Sequence, residues 1–294
     1  MSQSSLFSVA QAQAALAADD AVFIDTRYDL TDAQVGVRAF EKARIPGALF
    51  FDQSRVMVGQ CTGKNGRHPL PQLSLFKQLL QRLQLDTGRQ IIIYDASNGQ
   101  FAARLWWMLR WAGITQVALL DGGWQAWLAA DAPIDEAPVD AHRVSAIAQD
   151  IGLAETVAED AEQGQMPLYR REAILAQLDA PELCIIDARA AERYRGEVEP
   201  LDPVAGHIPG ALNRPSSHNL QADGRFKTAE QLRAEWIDFI GPLRPQQIVH
   251  QCGSGITACH NLFAMELAGL TGSALYAGSW SEWVAHEGAP VAVG

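Results

Sequence analysis

The 294-residue sequence is short of positive charge: 23 Lys and Arg stand against 34 Asp and Glu, a formal net charge of −11. Phosphate backbones need concentrated cations, and no run of Lys or Arg supplies a local patch, so a nucleic-acid partner is excluded as an expectation. Cysteine is scarce as well. The four present, Cys61, Cys184, Cys252 and Cys259, include no CxxC pair, which argues against a zinc site or a disulfide framework and leaves each as a separate thiol. No stretch nears the roughly 18 uninterrupted apolar residues of a membrane span. The opening MSQSSLFSVAQAQAALAADD has no basic start ahead of an apolar core. The expectation is a soluble, cytoplasmic protein without a membrane partner. Hydrophobic residues are not scarce: at 48% they can fill the cores of two domains of ordinary size.

The sequence repeats itself. FIDTR (23–27) recurs as IIDAR (185–189), ARIPGALFFD from Ala43 as GHIPGALNRP from Gly206, and LLDGGWQAW (119–127) as LYAGSWSEW (275–283). The stripe Phe76, Leu80, Leu83 answers to Leu232, Trp236, Phe239, and Gly113 and Gly269 each stand where a helix should end. These matches predict two copies of one domain, over 1–140 and 167–294, joined by a linker over 141–166 that has no counterpart in either copy.

Within each copy, apolar runs (AVFID, IIIYD, VALLD; LCIID, QIVHQ, ALYAG) alternate with segments of helical period such as QLSLFKQLLQRLQL. Apolar strands without polar alternation belong to a sheet covered on both faces. Strand–helix alternation predicts an α/β fold with a mainly parallel sheet flanked by helices, whose functional groups gather where strands hand over to helices.

One such handover is HQCGSGITACH. Behind the strand IVHQ, residues Cys252, Gly253, Ser254, Gly255, Ile256 and Thr257 turn the chain toward a helix containing Leu262, Phe263 and Leu267. Glycines let successive N–H groups converge, and a helix N-terminus adds unpaired donors. A thiol placed there is expected to ionise more readily than a free cysteine, with Cys252 as a reactive thiolate. The matching position in the first copy is Asp95, in IIIYDASNG.

The repeat, the HIPGA segment and the CGSGIT loop together resemble the tandem-domain rhodaneses, sulfurtransferases that include thiosulfate and 3-mercaptopyruvate sulfurtransferases. The resemblance spans nearly the whole chain and implies two rhodanese-like domains, the first catalytically silent and the second carrying a persulfide on Cys252. Asp95 fits a silent copy, since a carboxylate cannot carry a sulfane sulfur. CGSGIT is similar to the mercaptopyruvate pattern CG(S/A)G(V/I)T and departs from the cationic CRKGVT of the thiosulfate enzymes. The implied donor is therefore 3-mercaptopyruvate, with thiosulfate as the alternative by the same mechanism. The acceptor would be a thiol, with thioredoxin suggested by the family, or cyanide in an assay. No metal or organic cofactor is implied. Ser254 and Thr257 hydroxyls, with the loop N–H groups of residues 253–257, would cradle the persulfide and the departing enolate.

Duplication also sorts the remaining candidates. Arg189 has a twin, Arg27, in the copy without a nucleophile, which favours an ion pair needed by both domains over a donor contact. Arg193 aligns with Thr31 and has no twin, so it is the candidate for holding the anionic donor. The second arginine that mercaptopyruvate enzymes often carry nearby has no match in EVEPLDPVAG, where Asp202 stands instead; Arg195 is the nearest substitute. The histidine of a proton relay suggested for some members aligns with Arg44, leaving that relay without its histidine. His207, His250 and His260 read as packing and hydrogen-bonding residues, Cys259 as core, and Trp124, Trp127, Trp280 and Trp283 as core or interdomain packing. A tyrosine-phosphatase reading fails, because position six after Cys252 is Ala258 where an arginine would clamp phosphate. A sulfur-carrying or partner-binding module without turnover is the remaining non-enzymatic alternative.

Overall fold

A computed structural model describes residues 5–158, 164–178 and 182–294. The chain forms two compact units. The first comprises residues up to Gln60 together with Leu70–Gln165; the second comprises Cys61–Pro69 together with Met166–Gly294. Residues 61–69 lie inside the first repeat by sequence, yet pack with the second unit.

The first unit holds β1 (Leu6–Phe7), β2 (Ala21–Asp25), β3 (Leu49–Phe50), β4 (Gln90–Tyr94) and β5 (Val117–Leu120) in the spatial order β1-β5-β4-β2-β3, every pair parallel. The second repeats this with β6 (Leu168–Tyr169), β7 (Cys184–Asp187), β8 (Leu212–Asn213), β9 (Ile248–Gln251) and β10 (Ala274–Tyr276) in the order β6-β10-β9-β7-β8, again all parallel. The identical order is the structural form of the sequence duplication.

Adjacent strand residues point to opposite faces, and in β7 both faces are covered. Ile185 packs with Ile174, Val249, Trp280 and Trp283. Its neighbour Ile186 packs with Leu232, Trp236, Ile248 and Met265. The latter set includes the apolar stripe of helix Ala229–Ile240, whose start is fixed by a Thr228–Gln231 capping box. Truncating a buried Trp such as Trp236 would remove about 3–5 kcal/mol. All four repeated tryptophans are buried in their own unit's core, and Trp127 and Trp283 make matching indole bonds to the carbonyls of Pro133 and Pro290. Gly113 and Gly269 follow helices Gln100–Trp111 and Thr257–Leu267 in left-handed backbone, with φ of 101° and 69°.

The stretch read as a linker is partly ordered. Helix Arg143–Asp150 buries Val144 and Ala148 and packs against helix Leu73–Arg82 of the first unit. Residues 159–163 of that stretch lie outside the described residues. Among the described residues no helix is long and apolar enough to cross a membrane.

Candidate active site

Strand register independently equates the two handover positions. Asp25 of β2 pairs with Tyr94, the residue before Asp95, just as Asp187 of β7 pairs with Gln251, the residue before Cys252. Both positions accept the same inter-element bond, from Trp124 N–H to the Asp95 carbonyl at 2.8 Å and from Trp280 N–H to the Cys252 carbonyl at 3.0 Å.

Cys252 is buried, with its Sγ accepting the Gly255 N–H at 3.1 Å and its own N–H donating to Ser279 Oγ. Gly255 has φ of 79°, and a β-carbon there would lie 2.3 Å from the Ala277 carbonyl, so only glycine turns the loop here. Ile256 is buried and Thr257 opens the helix. Ser254 is buried too, and its hydroxyl meets His68 Nδ1 at 2.8 Å. Cys259 is fully buried, its thiol on the Gly255 carbonyl at 3.3 Å, which makes it part of the core that supports the loop.

The two repeated arginines have matching surroundings. Arg27 forks onto Asp25 and reaches the Ala43 carbonyl; Arg189 forks onto Asp187 and reaches the Gly206 carbonyl. Each guanidinium also lies over a tryptophan, Trp124 and Trp280 respectively. Arg189 has a further bond, to Glu199 at 3.1 Å. Its side chain is 1% exposed.

Arg193 reaches Glu199 at 2.6 Å and keeps 18% of its side chain exposed. Its terminal nitrogens stand 3.5 Å from the point a β-carbon of Gly253 would occupy. Burial pushes Glu199 up, but the bonds from Arg193 and the Leu201 N–H and the charges of Arg193 and Arg189 outweigh it and hold the carboxyl below its usual range. Thr31, the residue aligned with Arg193, bonds only locally to Asp29 at the surface. Arg195 is an exposed partner of Glu197.

Two residues near the loop were absent from the sequence reading. Arg67 pairs with Asp202 and places its second terminal nitrogen 3.1 Å from the Gly253 β-carbon position, while His68 holds Ser254. Their segment, 61–69, is fastened by Arg67 N–H to Ser281 Oγ at 3.1 Å and by the Lys64 carbonyl to His286 Nε2 at 3.0 Å. Arg44 is elsewhere, paired with Asp135 and the Ala137 carbonyl, and the histidine that meets the loop is His68.

The other histidines support packing. His207 stacks on Tyr194 and bonds its carbonyl. His250 contacts Met265 Sδ, and His260 stacks on Phe226 beside Asn219.

Comparison with known proteins agrees with this arrangement. The rhodanese-like domain model matches residues 8–130 and again 171–286. The chain is 41% identical to a protein of Pseudomonas aeruginosa named "Probable 3-mercaptopyruvate sulfurtransferase", over the full length of both. It is 32% identical to the thiosulfate sulfurtransferase of Cricetulus griseus, covering 86% of this chain and 81% of that one. The crystal structure of SseA from Escherichia coli, a 3-mercaptopyruvate sulfotransferase, matches with a TM-score of 0.74 at 27% identity, covering 95% of this chain and 99% of that one. With two matched domains, one repeated strand order and a cysteine at the second handover, the chain belongs to the rhodanese family, among its two-domain sulfurtransferases.

Proposed function

We propose that this sulfurtransferase moves the sulfur of 3-mercaptopyruvate to a thiol acceptor through a persulfide on Cys252. The Cys252 thiolate attacks the donor's sulfur; the new S–S bond forms as the C–S bond breaks, and the electron pair leaves on carbon as the enolate of pyruvate. That enolate takes up a proton to become pyruvate. An acceptor thiolate then attacks the outer sulfur, takes it as a new persulfide and returns Cys252 as thiolate. Two displacements replace one difficult transfer.

The observation that carries this reading is the loop itself, where Cys252 Sγ accepts the Gly255 N–H and the Arg193 guanidinium stands beside the neighbouring Gly253. Arg193 would hold the donor's carboxylate. Ser254, hydrogen-bonded to His68, is the protic group proposed to meet the enolate. Arg189, buried in its ion pairs, would act by fixing Glu199 behind Arg193. The first unit is proposed to be silent, with Asp95 at the place of the nucleophile. A reducing cytoplasm, where thiol acceptors including thioredoxin persist, is the setting proposed.

The test is a comparison of kcat/KM for 3-mercaptopyruvate and thiosulfate, with intact-mass measurement after donor treatment. Wild type should gain one sulfur and prefer 3-mercaptopyruvate. Cys252→Ser should gain none and lose transfer, while Cys61→Ser and Cys184→Ser keep both. Turnover by a Cys252→Ser protein would refute the persulfide, and a preference for thiosulfate would refute the donor.

A further inference from the structure

We propose that Arg67 is a second anion-holding residue of this site, gripping the carboxylate or sulfonate of the sulfur donor together with Arg193. The inference rests on the sulfurtransferase reading but not on which donor is used.

The first observation is convergence. Arg67 and Arg193 come from segments far apart in sequence, yet their terminal nitrogens close on one point, the vacant β-carbon position of Gly253, at 3.1 and 3.5 Å. Gly253 is the residue next to Cys252. The second observation concerns that glycine. Its backbone is not in the left-handed region, so its conformation does not demand glycine. What the missing side chain provides is the space between two guanidiniums and the nucleophile.

Two like charges at this spacing repel, and the arrangement stands because each is held from behind. Asp202, with its side chain 4% exposed, pairs with Arg67 and lies 3.6 Å from Arg193; Glu199, 3% exposed, takes the fork of Arg193. Both carboxylates are buried while Arg67 keeps 30% and Arg193 18% of its side chain exposed. The cations therefore present open N–H edges, and the balancing anions are out of a ligand's reach. A carboxylate or sulfonate has at least two oxygens to offer, one for each edge, and charge-assisted N–H bonds are the strong kind. Arg189 is no rival for this part, since it is committed to Asp187, Glu199 and the Gly206 carbonyl and only 1% of its side chain is exposed.

A purely structural Arg67 would also tether segment 61–69, so the experiment separates the two roles. Arg67→Met and Arg67→Lys are compared with wild type in KM for whichever donor the wild type uses and in the rate at which pre-formed persulfide enzyme discharges to cyanide. Pyruvate, which carries the donor's carboxylate, is titrated into each resting protein by calorimetry. A cation about 5 Å from a unit anion, discounted for partial exposure, leads us to expect a rise in KM of about tenfold for Arg67→Met, partial rescue by lysine, an unchanged discharge rate, and pyruvate binding weakened by about the same factor. Unaltered KM and pyruvate affinity in Arg67→Met, or an equal loss in both half-reactions, would overturn the inference. Failure of the donor reading looks different: wild type would use thiosulfate alone, with Arg67→Met raising the KM for thiosulfate, and if neither donor were used the pyruvate titration would still decide the role of Arg67.

Discussion

The Asp95 carboxylate accepts four backbone N–H groups, from Ser97, Gly99, Phe101 and Ala102 at 2.8–3.0 Å, at the point of the first sheet where the second places Cys252. The first unit thus retains the anion cradle and fills it with an anion of its own. Burial pushes the Asp95 carboxyl above its usual range, and the four N–H bonds act against that. Removing the carboxylate would strand buried donors at a cost of about 1–3 kcal/mol each before any relaxation. Asp95→Ala is therefore expected to lower the melting temperature clearly while leaving kcat/KM within about twofold of wild type, since the bonds it loses all lie within its own loop and the helix that follows. Asp95→Cys in a Cys252→Ser background should take up no sulfur from the donor, because Thr31 stands where the active copy has Arg193. A persulfide at residue 95 would show that the arginine is dispensable.

The arginines should separate stability from donor use. Arg189→Ala leaves Asp187 buried without its partner, and breaking a buried pair costs about 3–5 kcal/mol, so unfolding in denaturant should move sharply to lower concentration. Arg27→Ala should behave alike. Arg193→Ala leaves Glu199 still paired with Arg189, so the fold should survive with KM for the donor raised about tenfold or more. The reverse pattern in melting and kinetic measurements would mean that the roles have been exchanged.

The repeat made most of this visible in the sequence. The sheet, the loop, Asp95 in the nucleophile's place and the contrast between Arg189 and Arg193 all follow from comparing two copies, because duplicated structural residues persist while functional ones need occur only once. Arg67 and His68 were hidden for physical reasons. Their partners Asp202 and Ser254 lie 135 and 186 residues away, and loop contacts leave no periodicity to read. The run NGR at 65–67 also has a look-alike in DGR at 223–225, so the rule that picked out Arg193 passes over Arg67. In the structure the look-alike is an exposed arginine, Arg225, beside Asp223. The ordered helix in the expected linker was obscured by composition: the Ala, Glu and Gln of the whole stretch suit either a tether or a helix, and burial of Val144 decides between them.

Acid sensitivity should trace to His250. It is wholly buried beneath helix Thr257–Leu267, and burial first, with the Arg214 charge second, lowers its pKa to about 3. The native state therefore holds it neutral while the unfolded chain protonates it near pH 6.5. Between those two values the unfolded state binds the extra proton, so stability present above about pH 6.5 is lost as pH falls, by up to about 1.4 kcal/mol per unit. Denaturant midpoints measured from pH 7 to 5 should fall for wild type. In His250→Leu the fall should be shallower even if the starting stability is lower, and an equal slope in both would remove His250 as the cause.

Donor choice is the last consequence, and Arg67 alters what the loop alone suggests. Thiosulfate carries two negative charges and mercaptopyruvate one carboxylate, so each added cation should favour thiosulfate more. A cation 5 Å from a unit anion contributes about 3 kcal/mol at an effective dielectric constant near 20, less when solvated, and about 1.4 kcal/mol is already tenfold. By that reckoning, arginine at Gly253 and lysine at Ser254 would move the kcat/KM ratio toward thiosulfate by at least about tenfold. Two guanidiniums already flank that position, however. A side chain at Gly253 starts 3.1 Å from one guanidinium and 3.5 Å from another, so a third cation there would displace Arg67 instead of adding to it, and lysine at Ser254 would give up the bond to His68. The double substitution G253R/S254K should accordingly shift the ratio only weakly in the wild-type background. Combined with Arg67→Ala, which vacates the place, it should give the full tenfold shift and a steeper loss of thiosulfate activity with added salt. Steady-state kinetics on the four proteins with both donors provide the comparison, and equal shifts with and without Arg67 would mean that the two guanidiniums do not share the point above Gly253.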